Sequence, residues 1–167
     1  TVPEALVREI GIQVARGLSA IHEAGVIHRD LKPENVLITD DHRVRIMDLG
    51  VARIQDASVA LTKEGQFAGS LLYAAPEQLR KGTVGPAAVL YSLGVVLQEL
   101  STGTNPFRAE DAAGVMRSHL EERPASLTEV DPDLSPFLAE VVSTLLEKDP
   151  GKRFSSAADL ARVLEEA

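Results

Sequence analysis

The first apolar residues of the chain recur with the spacing of an α-helix. The recurring positions are Leu6, Ile10, Val14, Leu18 and Ile21. Intervals of three and four residues place such side chains on one face of a helix. This pattern predicts a helix over residues 3–24, with a proline suited to its first turn and a glycine just past its end.

Later patterns predict a short hairpin and a helical remainder. Apolar runs at 36–39 and 44–47 flank four polar residues, which indicates a β-hairpin with a polar turn. Residues 87–102 leave little polar face, so they predict a buried central helix that Gly103 ends. Further helices are predicted at about 109–121, 136–148 and 156–166, where Ser156 and Asp159 form a capping-box-like pair. Residues 51–77 read as a long, functional connection, and 123–136 as a polar linker.

Composition restricts the function classes. A chain of 167 residues with 44% apolar residues suits one compact domain, and its net charge of -8 argues against a general nucleic-acid or anionic-membrane binder. Without cysteine there is no disulfide framework or thiolate metal site, and the four histidines make no His-x-x-x-His pair. No signal peptide and no stretch of about 18 apolar residues is present. We expect a cytoplasmic protein with no membrane span in this segment, and a start at Thr1 suggests an excised segment.

The stretch His28-Arg29-Asp30-Leu31-Lys32-Pro33-Glu34-Asn35 combines three chemistries in one short loop. Asp30 is a carboxylate that can accept a hydroxyl proton, Lys32 is a cation that can sit on a phosphate, and Asn35 is a neutral oxygen ligand suited to Mg²⁺. Proline disfavours helix at this point, so the stretch reads as a loop. The alternative for a lone Asp-x-Lys is a solvated charged turn.

A second candidate metal ligand follows the predicted hairpin. Asp48-Leu49-Gly50 lies 13 residues after Asn35, so the two ligands flank one short hairpin and can converge. Glycine lets the backbone approach a metal-phosphate group closely. An ordinary Asp-x-Gly turn is the alternative interpretation of this tripeptide.

These motifs together resemble a protein kinase. The octet is similar to the catalytic loop of eukaryotic-type kinases, and Asp48-Leu49-Gly50 resembles their Asp-Phe-Gly element with Leu49 in the place of Phe. Ala75-Pro76-Glu77 resembles the Ala-Pro-Glu motif that closes the kinase substrate-docking loop. The sequence of this motif is most similar to that of bacterial eukaryotic-like Ser/Thr kinases. Small-molecule kinases share an Asp-x-x-x-x-Asn loop but lack the combination of Lys32 with Ala-Pro-Glu.

The resemblance implies the fold and the central site. The fold is mainly α, the helical C-terminal lobe of the kinase fold over residues 1–167 with a short β-hairpin. Asp30 orients the substrate hydroxyl and accepts its proton, and Lys32 stabilises the transferring γ-phosphoryl of ATP. Asn35 and Asp48 hold Mg²⁺, and Leu37 lies on the floor of the adenine site.

The resemblance also implies roles in docking and regulation. Ser70 faces the catalytic loop, and Glu34 contacts a basic substrate residue or is simply a solvated carboxylate. Thr62 is a regulatory phosphorylation site or a plain loop threonine, and Arg29 receives its phosphate through a charge-assisted pair.

Structural roles follow for the remaining motif residues. His28 and Leu49 pack rather than react, and Arg153, in an element resembling Asp-Pro-x-x-Arg, pairs with Glu77.

The sequence departs from the family at one position of the central helix. Val89-Leu90-Tyr91-Ser92-Leu93-Gly94 resembles Asp-x-Tyr-Ser-x-Gly with Val89 in the aspartate place. In the family this carboxylate accepts hydrogen bonds from backbone amides of the His-Arg-Asp turn, and an unmet buried donor costs roughly 1–3 kcal/mol. We therefore expect a looser loop around Asp30, which Val89→Asp would tighten.

No Gly-x-Gly-x-x-Gly loop, strand lysine or partnering helix glutamate of an N-terminal ATP-binding lobe occurs in these residues. The resemblance thus predicts that the parent protein is an ATP- and Mg²⁺-dependent Ser/Thr kinase acting on proteins, with the N-terminal lobe as this segment's partner. Alone, the segment should be nearly inactive. The alternative is a pseudokinase lobe that serves as a protein-binding module.

Overall fold

The computed structural model describes residues 1–27, 31–41, 43–46, 71–80 and 84–166. The described part contains seven α-helices and one two-stranded sheet. The helices are α1 (Glu4–Glu23), α2 (Pro76–Leu79), α3 (Pro86–Thr102), α4 (Ala112–Glu121), α5 (Leu127–Val130), α6 (Pro136–Leu145) and α7 (Ala157–Glu166). The strands are β1 (Val36–Ile38) and β2 (Val44–Ile46), and two 3-10 turns span Pro33–Asn35 and Pro150–Lys152. The predicted mainly helical fold with a short hairpin is confirmed.

Helix α3 is the centre of the molecule. Every residue from 88 to 98 is buried, as expected for a helix with apolar side chains on all sides. It packs against α1 on one side and α6 on another. Gly103 ends the helix with φ of +84°, a left-handed conformation that glycine adopts without a Cβ clash. The predicted central helix and its stop are confirmed.

Helix α1 packs against α7, α3 and β2. Its buried face includes Val7, Ile10, Val14 and Leu18, so the predicted placement of Leu6 on that face was wrong: Leu6 is 40% exposed. The buried position of the first turn is Val7 instead, because spacings of three, four and four residues place Val7, Ile10, Val14 and Leu18 on one face.

The hairpin pairs antiparallel, with Val36 opposite Ile46 and Ile38 opposite Val44. Its turn is closed by a 2.8 Å hydrogen bond from the Thr39 amide to the Arg43 carbonyl. The Val44 amide donates a hydrogen bond to the side-chain oxygen of Gln13 at 2.7 Å, and this bond attaches the hairpin to α1. The predicted hairpin is confirmed, with β1 one residue shorter than expected.

Capping and proline chemistry set the helix ends in the second half. Helix α4 begins at residue 112 rather than 109, because the Asp111 carboxylate accepts the Gly114 amide at 2.8 Å and caps it there. Helix α6 ends at Leu145 rather than 148, before the proline turn Pro150–Lys152. For α7, the predicted cap is present, since the Asp159 amide donates to the Ser156 hydroxyl at 3.0 Å.

Two short helices were not predicted. Helix α2 starts at a proline, and the Gln78 side chain accepts the Ala75 amide at 2.8 Å. Helix α5 lies inside the predicted polar linker, where the Glu129 carboxylate accepts the Ser126 amide at 2.8 Å. Ser126 and Glu129 match a capping box, which identifies α5 in retrospect. No helix in the described ranges is long and apolar enough to cross a membrane.

Candidate functional site

The described end of the catalytic-loop candidate is a rigid turn. Leu31 is 1% exposed and Asn35 is 3% exposed, so both ends of the described part, residues 31–35, are buried. Between them Lys32 is extended, and the Asn35 amide donates to its carbonyl at 2.9 Å to close the 3-10 turn. Proline at the first position of the turn matches its fixed φ. The turn leads directly into β1.

The hairpin presents an apolar surface beside this turn. Leu37 and Ile38 are 49% and 47% exposed, unusual values for large apolar side chains in a strand. Leu37 is therefore accessible to a ligand, which the predicted floor of an adenine site requires. The fit of a metal is partial, because the amide of Asn35 is a suitable oxygen ligand but its predicted companion Asp48 lies outside the described residues. The part of the chain that the structure describes contains no group of three acidic or histidine side chains arranged for a metal ion.

The segment 71–77, which ends in the Ala-Pro-Glu closure, is attached to α3 by hydrogen bonds. The Ser92 hydroxyl donates to the Tyr73 carbonyl at 2.5 Å. The Tyr73 hydroxyl donates to the Glu99 carboxylate at 2.5 Å. Burial raises the pKa of Tyr73, and the Glu99 carboxylate raises it further. Tyr73 therefore stays protonated and keeps its role as a donor.

One residue of the catalytic-loop candidate, Glu34, acts electrostatically on Tyr73. The charge of the Glu34 carboxylate is the last and smallest of the causes that raise the pKa of Tyr73, after burial and Glu99. Glu34 is exposed, whereas Glu99 is half-buried.

Glu77 and Arg153 form the ion pair expected from the resemblance. Two guanidinium nitrogens of Arg153 meet the two carboxylate oxygens of Glu77 at 2.7 and 3.0 Å. The Arg153 side chain is 0% exposed and that of Glu77 is 14% exposed. The bidentate pair connects α2 to the chain between α6 and α7, and a further bond at 2.9 Å to the Ala87 carbonyl adds the first turn of α3.

Val89 is part of the hydrophobic core, with 2% exposure. The turn that the family's aspartate would support, residues 28–30, is outside the described residues. The expected looseness of that turn stays a prediction.

Several predicted site residues cannot be placed. They are His28, Arg29, Asp30, Asp48, Leu49, Thr62 and Ser70, all outside the described residues. Among the described ones, the structure places Lys32, Glu34 and Asn35 in one turn beside Leu37. Sequence reasoning gave Tyr73 and Glu99 no role, because no local pattern indicates a contact across 26 residues.

Comparison with known proteins agrees with this architecture. The family model of the protein kinase domain matches residues 1–164. A Corynebacterium efficiens protein named Serine/threonine-protein kinases drp72 is 39% identical over 163 residues, which cover 98% of this chain and 31% of that relative. Serine/threonine-protein kinase PknA of Mycobacterium tuberculosis is 40% identical over 149 residues, which cover 89% of this chain and 34% of that relative.

The chain spans about a third of the length of these curated relatives. The resemblance to bacterial Ser/Thr protein kinases is confirmed by both comparisons, and it extends over nearly the whole chain. With this match and the ion pair that joins the Ala-Pro-Glu closure to α3, the chain belongs to the protein kinase family.

Proposed function

We propose that the full-length protein transfers the γ-phosphoryl group of ATP to serine or threonine hydroxyls of proteins. The observation that carries this proposal is the intact octet 28–35, whose described part holds Lys32 and Asn35 on a closed turn at the start of the hairpin. Membership of the kinase family and the names of its relatives support the same reaction class.

The proposed chemistry depends on positioning and charge rather than on a covalent intermediate with the protein. Asp30 orients the substrate hydroxyl and takes its proton, and Lys32 neutralises charge on the transferred group. Asn35 and Asp48 provide oxygen ligands for Mg²⁺, and Leu37 packs under the adenine. When bound, Mg-ATP supplies the phosphoryl group and the neutralisation of its β- and γ-oxygens.

Substrate docking is proposed for the surface between the loop and the segment 71–75. Ser70 faces Asp30 and Lys32, and Glu34 contacts a basic side chain of the protein substrate. The support for Glu34 is its exposure and its electrostatic coupling to Tyr73. We expect Glu34→Gln to raise KM for a peptide with a basic residue and to leave KM unchanged for its alanine counterpart. Equal changes for both peptides would contradict this role.

Regulation is proposed through the residues ahead of the docking segment. Phosphate on Thr62 pairs with Arg29 through charge-assisted hydrogen bonds. His28 and Leu49 pack around the site. Mapping of phosphates after incubation with Mg-ATP tests this proposal, and a protein phosphorylated only outside residues 51–70 would contradict it.

The decisive experiment is phosphate transfer by the natural full-length protein. Mg-ATP is supplied with a generic Ser/Thr substrate, and autophosphorylation is followed in parallel. Asp30→Asn is expected to abolish both reactions, whereas Asp40→Asn, an exposed carboxylate in the hairpin turn, is the matched control and is expected to retain them. We expect residues 1–167 alone to be nearly inactive, because the ATP phosphates also need the contacts of an N-terminal lobe. A cytoplasmic location stays a prediction.

The second candidate function is a docking module without catalysis. The burial of Val89 in the core, where the family has an aspartate, favours it. A folded full-length protein that binds partners but transfers no phosphate would support this alternative and contradict the kinase proposal.

A further inference from the structure

Lys148 is a partly buried cation whose hydrogen-bond partners are uncharged. It lies between α6 and the turn Pro150–Lys152, and its ammonium donates to the Tyr91 hydroxyl at 3.3 Å and to the Ser118 carbonyl at 3.5 Å. Both distances are long for a hydrogen bond between nitrogen and oxygen. None of the ion pairs among the described residues includes Lys148. Its positive charge is therefore partly removed from water without a carboxylate to balance it.

Two aromatic rings border the ammonium. Its nitrogen lies 4.7 Å from the centre of the Phe107 ring and 5.6 Å from the centre of the Tyr91 ring, and both side chains are buried. Ring faces attract a cation, so they hold Lys148 in place while it is charged. They also form an apolar wall, which a small uncharged molecule approaches at a lower desolvation cost than an anion does.

Arginine side chains lie around the same place. The Arg153 guanidinium is 4.9 Å from the centre of the Tyr91 ring, and one of its nitrogens donates to the Lys148 carbonyl at 3.4 Å. Arg123 pairs with Glu147, the residue before Lys148, at 3.3 Å. Like charges repel the ammonium in this environment, whereas a negative charge at the end of the same side chain is attracted.

These surroundings leave part of the Lys148 amine uncharged. Burial lowers the pKa of Lys148 to about 8, and the charge of Arg153 lowers it as well. Arg123 and Arg80 act in the same direction, whereas Glu122 raises this pKa. Near pH 7.5 roughly a quarter of the amine is then unprotonated, against roughly one part in a thousand for an ordinary lysine. Only the unprotonated amine has a lone pair that can form a covalent bond.

The Tyr91 hydroxyl can adapt to a change of charge at Lys148. It lies 2.9 Å from Nδ1 of His119. Burial raises the pKa of Tyr91 and lowers the pKa of His119 to about 4, so both groups are neutral near pH 7.5. An ammonium can only donate, which directs the tyrosine hydrogen to His119. Beside an acceptor oxygen the hydroxyl can turn and donate to it, and the neutral imidazole can then carry its proton on Nδ1.

We propose that Lys148 reversibly binds CO₂ as a carbamate, which the charge of Arg153 and the Tyr91 hydroxyl stabilise. The unprotonated amine attacks the carbon of CO₂, a nitrogen–carbon bond forms, and the electron pair of one carbon–oxygen π bond moves onto oxygen. The nitrogen then loses a further proton, so that an ammonium and CO₂ give a carbamate anion and two protons in all. The inference is independent of phosphoryl transfer, because none of the proposed catalytic residues takes part in it.

The test uses the natural full-length protein near pH 7.5, with ¹³C-labelled CO₂ and bicarbonate as the probe. Carbon NMR detects the carbamate, and its alkylation with triethyloxonium followed by peptide mass mapping locates it. Lys152 is the internal control, because it is an exposed lysine in the following turn. We expect the labelled fraction of Lys148 to exceed that of Lys152 at least about tenfold, since far more of its amine is unprotonated.

Three further samples separate the environment from the amine. Lys148→Arg keeps a positive charge but forms no carbamate, so the carbamate resonance assigned to residue 148 is expected to disappear, whereas Lys152→Arg should retain it. Tyr91→Phe removes the hydroxyl donor and is expected to lower the labelled fraction of Lys148 by roughly 5–10-fold, the equivalent of one hydrogen bond. In urea the two lysines of the wild type should be labelled equally, because the fold creates the difference between them.

Equal labelling of Lys148 and Lys152 in the folded protein overturns the proposal, and so does a carbamate confined to the chain terminus and exposed lysines. An unchanged labelled fraction in folded Tyr91→Phe overturns the stabilising role of the hydroxyl. If a variant does not fold, the mass map of the unsubstituted protein decides, because it compares two lysines in one sample. A protein that labels at Lys148 but transfers no phosphate overturns the kinase proposal alone.

Discussion

Replacement of Glu77 tests how much the buried Arg153 guanidinium depends on its carboxylate partner. All five N–H groups of Arg153 are used: Nε donates to the Glu147 carbonyl at 2.8 Å, and the terminal nitrogens donate to both oxygens of Glu77 and to the carbonyls of Ala87 and Lys148. Since the arginine side chain is 0% exposed, water cannot replace a lost partner.

Glu77→Gln removes the negative charge but keeps the length of the side chain. The amide offers one oxygen to Arg153 and turns an N–H group toward the second guanidinium nitrogen. Breaking a buried ion pair by removing one partner costs about 3–5 kcal/mol, and the retained oxygen reduces this to an expected loss of about 3 kcal/mol. For a domain of this size that loss corresponds to a decrease in melting temperature of roughly 6–12 °C.

The assay is thermal and urea unfolding of the full-length protein, with Arg123→Gln as the matched control. Arg123 pairs with Glu147 at 3.3 Å, and its side chain is 76% exposed. Surface pairs contribute about 0–1 kcal/mol because water and salt screen them. If Glu77→Gln lowers the free energy of unfolding no more than Arg123→Gln does, the reasoning from burial is refuted.

Three further predictions concern packing, the substituted aspartate and pH. Gly94→Ala places a Cβ 2.7 Å from a leucine Cβ of α6 and is expected to cost roughly 1–3 kcal/mol, whereas Gly85→Ala, with no atom within 4 Å, should cost little in the same urea titration. Val89→Asp is expected to raise both the melting temperature and the turnover number. The control Val96→Asp, at a position equally buried at 2%, should lower the melting temperature. Unchanged or lower values for Val89→Asp would contradict the expected loose turn. The pKa of His119 is about 4 in the folded protein, against an ordinary 6.5, so the unfolded chain binds this proton at a higher pH than the folded protein does. The free energy of unfolding is therefore expected to have its full value above about pH 6.5. It should decrease by roughly 2–4 kcal/mol as the pH falls toward 4. Stability curves of the wild type and His119→Gln that run parallel between these pH values would contradict that assignment.

Local chemistry made much of the fold predictable. The hairpin, the central helix and the stop at Gly103 follow from short-range patterns, because apolar spacing and backbone preference act within a few residues. The predicted turn at Lys32–Asn35 follows from the proline between them. Helix ends were less accurate where a cap decided them, as at Asp111, since one side-chain hydrogen bond outweighs a weak periodic signal.

Family motifs extended the prediction to one long-range contact. The pair between Glu77 and Arg153 joins residues 76 positions apart, and nothing in the local pattern around either residue implies it. It was predicted because the motifs resemble those of kinases. The predicted catalytic and metal roles of Asp30 and Asp48 stay predictions.

The sequence by itself determined the types of the longer helices and of the hairpin, the loop that carries Lys32 and Asn35, and the family. Only the tertiary structure decided which polar groups meet in the interior. The bond from Tyr73 to Glu99 and the row from Lys148 through Tyr91 to His119 join positions 26, 57 and 28 residues apart. Such contacts depend on how helices pack around α3, and buried polar groups must find whatever partners that packing brings within reach. A sequence pattern reports neighbours along the chain, whereas these partners are neighbours only after folding.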